Sequence, residues 1–383
     1  MAINPAVLGF AAAAGLVAVM LFGLLPAIQA SRTDIQGALQ EGGRSSVSAG
    51  GSGLRRLLVT AEVALSLMLW LKFKRNARSA AILIAVVFGV AMLPVLILSF
   101  WIEPPEESVA SIPFLNGVWD QELPLLNGEV ILQAALALPP TPGPHPALVV
   151  VHGSGRATRR QFNRVAEYFA PRGIAVLAYD QRGVGDSTGL YSSVGPANSH
   201  EILSQLASDA LAGVSQLGQD PRIRSDQVGL LGFSQAGWII PLAASRSSEV
   251  AFAAILSGPT VSVGEEIYYS RLSGDDAGSP TDLSDAEISA KLREYDGPRG
   301  FDPVPSLKAM QAPGIWIFGG ADRSIQIAEC IGIMDRLIED DGKDFTYQLH
   351  PQGNHGLRDV ETGERLPAFD EILEWMQQRG FAP

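Results

Sequence analysis

The 383-residue chain is poor in cysteine: Cys330 stands alone, so neither an internal disulfide nor a cysteine-based metal site can form. It is also short of positive charge where most of its mass lies. From residue 102 onward, 20 Lys and Arg face 37 Asp and Glu, a net of −17. An acidic body of that kind argues against nucleic acid as a partner, because phosphate backbones are held by Lys and Arg. Before residue 102 the balance reverses, with eight basic residues against three acidic ones.

Charge is missing altogether from two stretches of that basic head. Pro5–Ala30 runs for 26 residues and Ser79–Trp101 for 23 without a charged side chain. Each is long enough to cross a hydrocarbon core of about 30 Å, and core helices are rarely apolar on every face for so long. Transmembrane helices are expected at both. Leu57–Leu71 is shorter and carries Glu62, which suits a marginal or interfacial helix. The piece "EGGRSSVSAGGSG" is a flexible linker by composition. Lys72, Lys74, Arg75 and Arg78 precede the second run, the layout of a signal anchor. No convincing small-x-small cleavage site follows it, so the anchor is expected to stay. The four charges would then remain in the cytoplasm, with everything after Trp101 on the periplasmic side. A spanning Leu57–Leu71 would invert that orientation.

"LFGLLPAIQASRTDIQGALQEGGRSS" and "LRRLLVTAEVALSLML" resemble the linker region of bacterial permeases of the macrolide-exporter type, over about residues 8–69. Neither a periplasmic domain nor a full set of spans accompanies them, so transport is not expected. The organisation expected is a permease-like remnant at 1–71, a signal anchor at 72–101 and one large domain at 102–383.

In that domain, "ELPLLNGEVILQAALALP" sets Asn127-Gly128 between two apolar runs, the signal of a type I′ hairpin. Short apolar strands then alternate with helical stretches. "PALVVVHG", "IAVLAYD", "VGLLGF", "VAFAAILSG", "GIWIFGG" and "DFTYQLHP" read as strands, and "SHEILSQLASDALAGVSQL" is the clearest helix. Such a pattern predicts the α/β class, with a mostly parallel central sheet and helices on both faces. An acidic, polar insertion at about 260–311 predicts a small lid.

Chemistry in an open α/β sheet gathers at the carboxyl ends of its strands. Four ends carry reactive or oxyanion-binding groups: "HGSG" (His152–Gly155), Ser234, Asp322 and His355. Ser, then Asp, then His is the chain order of α/β-hydrolase triads. Ser234 would be the nucleophile, His355 the base that takes its proton, and Asp322 the group that orients the imidazole. Backbone N–H groups of Gln235 and Ser154 would form the oxyanion hole. The stretch "GFSQAG" departs from the G-x-S-x-G elbow: Ala236 stands at the second glycine position and Gly237 follows it. Asp359 competes with Asp322, and His350 with His355. Trp238, Tyr268 and Tyr269 are candidates to line an acyl pocket.

"VVHGSG", "GIAVLAYDQRGVGDSTG", "VGLLGFSQAG", "GGADRSI" and "GNHGL" stand in an order that resembles the α/β-hydrolase superfamily, and within it bacterial esterases and acyl-peptidase-like serine hydrolases. The resemblance covers about residues 110–382. It implies an α/β-hydrolase fold with Asp180 and Arg182 holding the loop beside the active site. The expected function is hydrolysis of a small acyl ester through an acyl-enzyme, needing no cofactor and no metal. The alternatives are an acylaminoacyl- or aminopeptidase, for which Glu265-Glu266 could bind the substrate amine, and a thioesterase. The remaining one is a binding-only membrane protein.

Overall fold

The computed structural model describes residues 117–275 and 281–383. The expectations for residues 1–101, permease-like segment and anchor included, fall outside them. Among the described residues no helix is long and apolar enough to cross a membrane.

The described chain opens with a hairpin of β1 (Gln121–Asn127) and β2 (Val130–Ala137). Asn127 pairs with Val130, which leaves Gly128 and Glu129 as the loop. Of these two, only Gly128 has a positive φ, +60°. That is the requirement of a type II′ turn, whereas the type I′ turn expected from Asn127-Gly128 needs two such residues. Asn127 stays in the ladder, where its side-chain amide donates to Asp209 at 2.7 Å.

Six further strands complete the sheet: β3 (His145–Val151), β4 (Ala175–Tyr179), β5 (Ile223–Phe233), β6 (Ala253–Leu256), β7 (Gly314–Gly319) and β8 (Phe345–His350). Their spatial order is β1-β2-β4-β3-β5-β6-β7-β8. The β1–β2 and β2–β4 pairs are antiparallel and the rest parallel. Every residue of β3 and β4 is buried, which explains why β4 and β3 after His145 are apolar without a break.

Strand alternation divides the core in two. On one face Val149, Leu177 and Leu230 meet α2 (Ser199–Gly218), α3 (Ala236–Ala244) and α7 (Ile327–Glu339). On the other, Leu148, Val176 and Leu231 meet α1 (Asn163–Phe169) and α8 (Ala368–Gln378). Each fully buried Leu or Val contributes roughly 1.5–3 kcal/mol.

The insertion between β6 and β7 holds α4 (Val263–Ser273), α5 (Asp285–Arg293) and α6 (Val304–Ala309). Capping boxes start the first two, Ser262 with Glu265 and Ser284 with Glu287, so polar sequence still makes helix here. The expected 260–311 insertion is not external throughout. Leu307 of α6 and Met310 just past it lie in the first core, so α6 serves as the crossover helix from β6 to β7. By contrast α5 buries Ile288 alone. This strand order, with a sharp turn into a helix at Ser234, is the α/β-hydrolase fold.

Candidate active site

Ser234 sits between β5 and α3 at φ +52°, a conformation disfavoured for residues with a Cβ. Two hydrogen bonds hold it there: its N–H donates to the Leu256 carbonyl at 2.9 Å, and its carbonyl accepts from Gly237 N–H at 2.8 Å. A strained strand-to-helix turn of this kind lifts the serine oxygen above the sheet. The displaced glycine has a local cause. A Cβ on Gly232 would stand 2.4 Å from the Cβ of Ala236, so the methyl at 236 is accommodated by the bare backbone at 232. Gly237 meets a different neighbour, because a Cβ there would approach the carbonyl carbon of Gly258 to 2.6 Å. Its bareness serves the contact between α3 and the chain leaving β6.

His355, on the loop after β8, places Nε2 2.9 Å from Ser234 Oγ. Its Nδ1 lies 2.7 Å from Asp322 Oδ2. The Asp322 side chain is wholly buried, and the imidazole is 17% exposed at the site's mouth. The second carboxylate oxygen of Asp322 accepts the backbone N–H groups of Ser324 at 2.7 Å and Ile325 at 3.1 Å. Each oxygen therefore has its own partners, and the carboxylate cannot turn away from His355 without abandoning two bonds. The three groups lie up to 121 positions apart in sequence and join in one chain of hydrogen bonds.

The "HGSG" turn lies against the elbow: a Cβ on Gly153 would come 3.2 Å from the Phe233 carbonyl oxygen and 3.5 Å from Ser234 Cβ. Ser154 follows it, exposed, and Gln235 caps α3, where helix geometry leaves early N–H groups without helical partners. His152 is buried. Its Nδ1 lies 3.0 Å from the Gly153 carbonyl oxygen, and burial, the largest influence on it, holds its pKa below the ordinary imidazole value. The adjoining loop is fastened twice. Asp180 pairs with buried Arg159 and accepts its backbone N–H at 2.7 Å. Arg182 makes two 2.7 Å hydrogen bonds to Asp209, whose side chain is fully buried in α2.

The competing candidates are occupied elsewhere. His350 contacts Glu371 at 3.0 Å. Asp359 is half-buried and caps a turn, accepting from the N–H groups of Glu361 and Thr362 at 2.9 Å. Trp238, a candidate to line an acyl pocket, is buried. It packs within the first core and donates its indole N–H to the Val261 carbonyl at 2.8 Å. Tyr268 stacks on Tyr295, with centroids 4.7 Å apart. Tyr269 reaches the site's edge and donates to the backbone carbonyl of Asp322 at 3.1 Å. Glu265 is committed to the capping box and to Arg299 at 2.8 Å.

Sequence reading missed Asp209 and Arg159. The available signal was an aspartate on the apolar face of a helix and an arginine close behind an apolar strand, each needing a partner to be buried. Cys330 is buried, and burial pushes its thiol up to about 11, so it is inert.

The family model described as serine aminopeptidase, S33, matches residues 142–274. A Methylorubrum extorquens protein provisionally named a carboxymethylenebutenolidase is 26% identical over 278 residues, covering 70% of this chain and 84% of that protein. Acyl-coenzyme A thioesterase 1 of Mus musculus is 28% identical over 149 residues, 39% of this chain and 32% of its own length. Among solved structures, an esterase of Pyrococcus furiosus superposes with a TM-score of 0.48 at 19% identity, covering 68% of this chain and 89% of that one. The permease-like resemblance finds no support in these matches. The family match over residues 142–274 agrees with the sheet order and the elbow on the α/β-hydrolase fold.

Proposed function

We propose that the protein is a serine hydrolase that cleaves carboxylic esters through an acyl-enzyme. The observation that carries this reading is the continuous link Ser234 Oγ–His355 Nε2 at 2.9 Å and His355 Nδ1–Asp322 at 2.7 Å. Ser234 Oγ attacks the ester carbonyl carbon while His355 Nε2 takes its proton. The backbone N–H groups of Gln235 and Ser154 receive the developing oxyanion, each donor being worth about 10²–10³ in rate. The tetrahedral intermediate collapses as His355 returns the proton to the departing alkoxide. Water, deprotonated by the same imidazole, then releases the acid and restores the serine. Asp322 holds the ring's tautomer and stabilises the imidazolium throughout.

The peptidase reading draws on the name of the matched family model. It loses ground because Glu265, one of the two carboxylates considered for a substrate amine, already bonds Ser262 and Arg299. A thioester would use the same three residues. For the membrane, the reading keeps an anchor at Ser79–Trp101 with the hydrolase domain outside, resting on the four basic residues before it. Protease protection in spheroplasts checks that orientation.

The test of activity is a p-nitrophenyl ester series from acetate to palmitate, run beside aminoacyl amides and acyl thioesters on the intact chain and on Ser234→Ala. Ester turnover is expected in the parent and should fall by about 10⁴ or more in the alanine variant. Equal turnover in both would overturn the reading. Thioesters or amides cleaved in preference to esters would move the substrate class.

A further inference from the structure

The turn that carries Asp322 is bound on its outer side, residue by residue, to α4 and the residues just after it. The Asp322 carbonyl accepts from the Tyr269 hydroxyl at 3.1 Å. The next carbonyl, of Arg323, accepts from the Ser273 hydroxyl, while the Arg323 guanidinium returns to the Ser273 carbonyl at 2.7 and 3.3 Å. The third residue, Ser324, donates its hydroxyl to Asp275. On its inner side the same turn supplies the Ser324 and Ile325 N–H groups that fix the Asp322 carboxylate. One short piece of backbone therefore has the acid on one side and the first insertion helix on the other.

From this geometry we infer that Tyr269 and Ser273 are positioning residues, which act on the reaction through the backbone of the Asp322 turn. The inference deepens the proposed reading and rests on it. It assigns α4 a role different from that of a cover which swings clear of the site. The helix is a fixed brace, and a substrate group pressing on it would be felt at the acid. Tyr269 suits the task because burial, with the Asp322 carboxylate adding to it, pushes the phenol up to about 12. Its hydroxyl thus remains a donor wherever an esterase would work. Asp285, Arg323 and Cys330 are the other ionisable groups around it.

Tyr269→Phe removes one hydroxyl and leaves the ring. In the intact chain, with the best p-nitrophenyl ester found above, kcat is expected to fall about tenfold with KM within about twofold. The deciding measurement is a double-mutant cycle with Asp322→Asn. Over the residual turnover of that background, adding Tyr269→Phe should cost nothing further, because the brace would have no acid left to aim. An unchanged kcat, a loss confined to KM, or an undiminished loss in the Asp322→Asn background would each overturn the inference. Ser273→Ala, put through the same cycle, decides the matter if Tyr269→Phe melts below assay temperature. Persistent turnover in Ser234→Ala would bring down the serine-hydrolase reading and this inference together. A dead Ser234→Ala beside an unaffected Tyr269→Phe would remove the brace alone.

Discussion

Gly237 and Gly258 meet backbone to backbone, and the elbow depends on that contact. Gly237→Ala would force a methyl to within 2.6 Å of the Gly258 carbonyl carbon, where no flexible side chain can yield. Overpacking of that kind costs about 1–3 kcal/mol. Because the clash lies three residues from Ser234, activity should drop at least tenfold even where the fold survives. Ala236→Gly is the converse change, since it restores the ordinary motif and removes a methyl that Gly232 accommodates. It is expected to keep activity within about threefold and to cost about 1 kcal/mol in helix propensity. Comparing kcat and melting temperature of the two variants checks this. Equal behaviour would mean that the position of the second glycine is immaterial. The positions of Ser234, Asp322 and His355 could be read from sequence because each follows closely on the end of a strand. Trp238 could not be placed that way: its apolar character says it is buried but not against what.

Among the elements, the strands were the most legible part, since a parallel strand covered on both faces has to be apolar nearly throughout, as β4 and β3 after His145 are. The β1–β2 loop and α6 were not. The loop slipped by one residue because Asn127 is held by a side chain 82 positions away, and α6, six residues long, is too short to display a helical period. The ties of α4 to the Asp322 turn span about fifty positions and leave no local pattern either. Asp209 joins three elements at once, taking Asn127 from the β1–β2 hairpin and Arg182 from the loop after β4 onto α2. Asp209→Ala would strand Arg182, whose side chain is only 12% exposed. Breaking one partner from a buried pair costs about 3–5 kcal/mol. Denaturant unfolding should show a loss of that size, whereas a loss under about 1 kcal/mol would mean that Arg182 swings out to water.

At the scale of the whole molecule, the buried imidazole of His152, at the start of the "HGSG" turn, ties stability to pH. Burial holds this imidazole neutral in the folded protein by lowering its pKa, while in the unfolded chain it titrates near its ordinary value of about 6.5. Below that value the unfolded state takes up a proton that the native state refuses. Stability therefore falls as pH falls, by up to about 1.4 kcal/mol per pH unit until the native group also protonates, and it is flat above about pH 7.5. Other groups titrate over the same range, so the difference between two proteins is the quantity to measure. His152→Gln carries no titrating ring. Its unfolding free energy, subtracted from that of the parent at each pH from 8 down to 5, should leave a difference that is constant at the alkaline end. The difference should then turn against the parent below about pH 6.5. A difference that stays level across the whole range would mean that water reaches the imidazole and that the turn beside Ser234 opens in the native state.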